Sequence, residues 1–144
     1  SLFTEKEHNE IRSLFQKAAP YLDEIKEPCL VHTDLWLGNV LIYTDTETPE
    51  FAAIIDADRA LWGDPMFEFS SIRWTYSEET FWDGYGKRTS QSQQDCIRCA
   101  IYTLLNRLWN AYVYVKEYNQ PENALGEQAD ALKQISLLKE LLKT

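Results

Sequence analysis

The chain has 144 residues, the length of one domain, and its 44% apolar and 13% aromatic content can fill a core, which excludes a disordered segment. Fourteen Lys and Arg against 23 Asp and Glu give a net charge of −9, which repels phosphate backbones and anionic lipid. Non-specific nucleic-acid or membrane partners are therefore not expected, whereas a cationic ligand, or one that arrives with a divalent metal, suits the balance.

Thr4 and Glu7 form a T-x-x-E capping box ahead of Ile11, Leu14 and Phe15, which share one face of a helix. Ala19-Pro20 is expected to end that helix, with a short second one running through Ile25. Glu27-Pro28 forces extended backbone, so Cys29 to Val31 read as a short strand. Asn39 to Tyr43 and Phe51 to Ile55 are apolar and β-prone, and the polar stretch "TDTETPE" between them makes the pair an antiparallel hairpin. Asp64 and Pro65 are an N-cap and first-turn pair for a helix over "MFEFSSIRW".

The second half is helical. Ile97, Ile101, Leu104, Leu105, Leu108, Tyr112 and Val115 recur at the helical period and predict one long helix with its apolar face in the core. Trp109, Tyr112 and Tyr114, at helical spacing, are read as core rather than as a pocket wall. Pro121 opens a last helix with Leu132, Ile135, Leu138 and Leu142 on one side. His8 is expected on an exposed helical surface. With no repeat and no low-complexity linker, residues 1–144 read as a single α+β domain, mostly helical, with one small antiparallel hairpin.

Cys96 and Cys99 make a C-x-x-C inside a helical pattern, with no second pair and no nearby His. They read as two small helix residues and not as a zinc or redox site. With Cys29 the count is odd and no disulfide framework emerges, which fits a reducing, cytoplasmic compartment. No apolar run approaches the ~18 residues of a membrane span and no signal peptide is recognisable, so a soluble protein is expected.

One stretch interrupts the apolar pattern. In "LVHTDLWLGNVLIY" an apolar run stops for polar residues and then resumes, and polar groups in such a setting cost free energy unless they are partnered or used. His32, Asp34 and Asn39 have the spacing H-x-D-x-x-x-x-N of a phosphotransferase catalytic loop. Asp34 can take the proton of an attacking hydroxyl, Asn39 can offer a neutral oxygen to Mg²⁺, and His32 can brace the loop backbone. Asp56 follows the second hairpin strand, where a carboxylate beside Asn39 makes a hard oxygen site suited to Mg²⁺. Asp58 points the same way if that strand continues, and it is a supporting candidate. Glu78, Glu79 and Asp83, near Trp82 and Tyr85, read first as a charged surface loop and second as a wall for a polyamine-like acceptor.

On "VHTDLWLGNVLI", "IIDADRALWGDPMFEF" and the helices that follow, the chain resembles the C-terminal lobe of the aminoglycoside phosphotransferase superfamily, which includes choline and fructosamine kinases. The resemblance implies a protein-kinase-like C-terminal lobe with the hairpin at its catalytic loop. It makes Asp34 the catalytic base, with Asn39 and Asp56 holding Mg²⁺ against the phosphates of ATP or GTP. The Asp34-Leu35-Trp36-x-Gly38-Asn39 stretch leans towards fructosamine kinases, and Gly63-Asp64-Pro65 towards antibiotic kinases. Glu68, after that helix start, is expected to pair with something nearby.

Two departures stand out. Thr33 replaces the family's usual Gly. The family's N-terminal nucleotide-binding lobe, with its Gly-rich loop and strand Lys, has no counterpart in these residues. The expectation is therefore a small-molecule kinase lobe that transfers the γ-phosphoryl group of a nucleotide to an acceptor hydroxyl and is inactive as an isolated chain. A partly apolar face left by the missing lobe is expected to favour self-association. The alternatives are a non-catalytic binding module on the same fold and a metal-dependent phosphohydrolase.

Overall fold

The computed structural model describes the whole chain except residues 1, 24, 26, 46, 72–78, 87, 89–91 and 144. It contains helix α1 (Glu5–Leu22), strands β1 (Cys29–Val31), β2 (Val40–Tyr43), β3 (Glu50–Ile54) and β4 (Leu61–Gly63), and helices α2 (Pro65–Ser71), α3 (Glu79–Tyr85), α4 (Gln93–Lys116) and α5 (Pro121–Leu141). This is the mostly helical α+β fold expected, with a small antiparallel hairpin. The chain divides into two compact units: Ser1–Lys26 with Ser90–Thr144, and Glu27–Thr89.

The first unit is helical. Thr4 caps α1: its side chain accepts from the Glu7 N–H at 3.3 Å, and the Glu7 carboxylate accepts from the Thr4 N–H at 2.7 Å. These hydrogen bonds hold the Glu7 carboxyl below its usual range, first through the Thr4 backbone and then through its hydroxyl. Ile11, Leu14 and Ala18 of α1 pack with Ile97, Ala100, Ile101 and Leu104 of α4 and Ala131, Ile135 and Leu138 of α5. Each set recurs every three or four residues, so each helix buries one stripe. Arg107 and Glu127 tie α4 to α5 at 3.0 Å, with both side chains largely buried.

Two expectations about the helices are corrected. Helix α1 does not end at Pro20 but carries it in its last turn, and the Asp23 N–H closes that turn on the Ala19 carbonyl at 3.2 Å. So close to the helix end, proline removes only one backbone bond, which the flanking packing outweighs. On α4, Leu105, Trp109 and Tyr112 are exposed, while Ala111 and Val113 are buried. Leu105 and Tyr112 each lie one residue, roughly 100° of rotation, past the stripe of Leu104 and Ala111. Val115, expected on the same apolar face, is exposed too, while Tyr114 is half-buried and His8 is exposed beside Phe3.

The second unit is built on two antiparallel strand pairs. β2 and β3 form the expected hairpin, with Val40 opposite Ile54 and Tyr43 opposite Glu50, and the pairing steps over Ala52 as a β-bulge. β1 pairs with β4, Val31 opposite Leu61 and Cys29 opposite Gly63. β4 has no signal in the sequence because three residues are too short to show an alternation. Leu41, Ile42, Tyr43, Phe51 and Ile54 leave the hairpin with exposed apolar side chains. No helix among the described residues is long and apolar enough to cross a membrane.

Two outcomes follow for the helical unit. Leu104 is fully buried, so Leu104→Ala should lower unfolding stability by about 3 kcal/mol in a urea titration, within the range for buried leucines. A loss below 1 kcal/mol would mean that Leu104 does not anchor the core. Because the Glu7 carboxyl is depressed when folded, its contribution is present above its unfolded range and lost as pH falls through its folded one. Wild type and Glu7→Gln should therefore differ in Tm at neutral pH and converge in acid. A constant gap between them would exclude the capping carboxylate as the cause.

Candidate active site

Strand pairing brings two loops together. Residues 32–39 run from β1 to β2, and residues 55–60 run from β3 to β4. Because β1 pairs with β4 and β2 with β3, both loops span between the same two strand pairs. Their backbones interlock at Ile55. Its N–H donates to the Asn39 carbonyl at 3.0 Å, and its carbonyl accepts from the His32 ring at 2.9 Å. Asp56 follows at once, exposed and with φ 64°, so the chain turns sharply there. Aspartate tolerates the left-handed region better than most residues.

The ring of His32 has a defined tautomer. Its Nδ1 accepts from the Asp34 N–H at 3.3 Å, so the proton must sit on Nε2, which donates to Ile55. Asn39 is buried on a short 3₁₀ turn, Leu37–Asn39. Its Nδ2 donates to the Asp34 carbonyl at 2.9 Å and to the Asp34 carboxylate at 3.3 Å. The amide is thereby oriented, and its Oδ1 is a hard neutral oxygen. A Cβ on Gly38 would collide with the Trp36 ring, so glycine at this position admits the indole over the turn.

Helix α2 anchors the loop from one side. The Asp64 carboxylate accepts from the Met66 N–H at 2.9 Å and starts the helix as expected. One turn on, Glu68 Oε2 accepts from the backbone N–H groups of His32, at 2.5 Å, and Thr33, at 3.2 Å. The partner expected for Glu68 is therefore the backbone of the 32–39 loop. Thr33 holds φ 67°, which for a β-branched residue costs about 1–2 kcal/mol, and its hydroxyl donates to the Arg59 carbonyl at 3.1 Å. Neither role is visible in the sequence, since backbone donors leave no residue-type signature. The unexpected threonine was the one available signal.

The loop of His32, Asp34 and Asn39 is thus joined through Ile55 to the loop that begins with Asp56. Asp58 is not positioned by strand alternation: β3 ends at Ile54 and Asp58 sits in a turn. Of the acidic stretch, Glu78 lies outside the described residues, Glu79 pairs with Arg88, and Asp83 is exposed, consistent with a charged surface. Trp82 and Tyr85 instead join Phe69 and Phe81 in an aromatic cluster with ring centroids 5.1–6.2 Å apart. Phe69, Phe81 and Tyr85 line a cleft of about 480 Å³ that His32 and Glu68 also border. Its walls are mainly apolar, unlike a polyamine site. Among the described residues no three His, Cys, Asp or Glu side chains gather to hold a metal. The amide oxygen of Asn39 and the carboxylate of Asp56 are hard oxygen donors, the type that Mg²⁺ prefers.

A kinase-like lobe with a clamped H-x-D-x-x-x-x-N loop defines the class of protein as phosphotransferase-like. The model of the phosphotransferase enzyme family (APH) matches residues 2–102, and the chain belongs to that family. No curated protein and no solved structure matches it significantly.

Glu68→Ala removes the acceptor for two backbone donors. It should destabilise the second unit by about 2–3 kcal/mol and speed amide exchange at His32 and Thr33. Unchanged exchange at both positions would show that α2 does not hold the loop.

Proposed function

We propose that the chain is the catalytic lobe of a small-molecule kinase that transfers the γ-phosphoryl group of ATP or GTP to an acceptor hydroxyl. Family membership supports phosphotransfer in general. The observation that supports the specific reading most is the double hydrogen bond at Ile55, which joins the loop of Asp34 and Asn39 to the loop of Asp56. In this reading Asp34 orients and deprotonates the acceptor hydroxyl. Asn39 and Asp56 hold Mg²⁺, which would supply neutralising charge against the nucleotide phosphates. His32 supports Asp34 through the backbone. Asp58 stays outside the ligand set, because nothing aims it at the site.

The nucleotide requires a second lobe with phosphate-binding backbone donors and a Lys, which these residues do not supply. The exposed apolar side chains of the hairpin fit a surface that meets such a lobe, or that self-associates without it. Three thiols and no disulfide fit a cytoplasmic setting.

Asp34→Asn keeps the shape but cannot accept the proton, so turnover in a form carrying both lobes should fall by about 10²–10⁴ with nucleotide affinity preserved. Near-normal turnover would remove Asp34 as the base. Asp56→Ala should raise the Mg²⁺ concentration needed for half-maximal rate, and an unchanged requirement would put the metal elsewhere. The 144 residues alone should bind ATP·Mg²⁺ only weakly by calorimetry and transfer no phosphate. Tight binding or turnover by this chain would refute the need for a second lobe, and phosphate release without an acceptor would favour a hydrolase.

A further inference from the structure

The loop of residues 55–60 is fastened to the catalytic loop at two points. At its start, Ile55 is bonded to Asn39 and His32. At its far end the Thr33 hydroxyl donates across to the Arg59 carbonyl, at 3.1 Å. Asp56 and Asp58 lie between these fastenings. The Arg59 carbonyl belongs to the same peptide unit as the Ala60 N–H, which donates to the Ala57 carbonyl at 3.1 Å. Thr33 therefore grips a peptide unit that also closes the turn immediately after Asp56.

The backbone geometry sharpens the point. A glycine at position 33 would take φ 67° without steric cost but would have no hydroxyl. Threonine takes the strain and makes the bond. Its own N–H is held by Glu68, so the hydroxyl is aimed from a fixed base. A residue kept in an unfavourable conformation by its surroundings is a candidate for a constrained role.

We infer that Thr33 is a positioning residue, whose hydroxyl fixes the turn behind Asp56 against the loop that carries Asp34. The consequence for catalysis rests on the kinase reading above, because it assumes that Asp34 and Asp56 act together. The tether itself does not.

Amide exchange by NMR on the 144-residue chain tests the tether, with Ala60 as reporter and Ile55 as internal control. Thr33→Val keeps the branched shape and removes the hydroxyl, whereas Thr33→Ser keeps the hydroxyl. The Ala60 amide should exchange about fivefold faster in Thr33→Val and near the wild-type rate in Thr33→Ser, with Ile55 unchanged in both. If valine prevents folding, Thr33→Ala replaces it with the same expectation. Wild-type exchange at Ala60 without the hydroxyl would overturn the tether, and so would equal loosening by serine. Acceleration spread to Ile55 would also overturn it, since that marks general loosening. In a form that turns over, Thr33→Val should raise the Mg²⁺ requirement and Thr33→Ser restore it. Loosened exchange at Ala60 with an unchanged Mg²⁺ requirement would overturn the positioning role, while Asp34→Asn separately reports on the kinase reading.

Discussion

The second unit depends on the peptide groups of Ile55. One donates to the carbonyl of Asn39 and the other accepts from His32. The two partners sit at opposite ends of the loop of residues 32–39, so these bonds close that loop over the start of the one beside it. Every candidate site residue is defined relative to this closure: Asp34 through His32 and Asn39, and Asp56 through its covalent link to Ile55. Each bond is worth only about 1 kcal/mol net, so the two together hold the closure.

The two units are stabilised by different means. Helices α1, α4 and α5 surround a core of fully buried leucine, isoleucine and alanine, where dispersion and the hydrophobic effect dominate. Among the described residues the strand unit has few buried apolar side chains, and it leaves much of its hairpin surface exposed. It relies instead on directional contacts: Glu68 on two backbone N–H groups, Asp64 on a helix start, and Thr33 on a neighbouring loop. Directional contacts hold geometry better than apolar packing does, and a reaction centre needs geometry. The left-handed backbone at Thr33 and Asp56 is where that constraint is expressed as strain.

Much was legible locally. The Thr4–Glu7 capping box, the Asp64–Pro65 helix start, the hairpin and the long helices follow from short-range patterns, and each appears where it was expected, although the end of the helix over "MFEFSSIRW" lies outside the described residues. The exceptions have different causes. Pro20 sits in the last turn of its helix, where only one backbone bond is lost; Trp109 and Tyr112 are rotated off the buried stripe of Leu104 and Ala111; and three residues at Leu61 become a strand because β1 pairs with them.

The sequence by itself determined which residues are chemically able to act. The spacing of His32, Asp34 and Asn39 with Asp56 is a statement about side-chain types along the chain, and the resemblance carried by the longer stretches around them pointed to the phosphotransferase enzyme family that the family model matches. Only the tertiary structure decided what holds them. Backbone N–H and carbonyl groups are the same in every residue but proline, so no pattern of letters announces that Glu68 grips the backbone at His32 and Thr33, that Ile55 joins two loops, or that Thr33 reaches Arg59. Those contacts span 16 to 36 residues and exist only because β1 finds β4 and β2 finds β3.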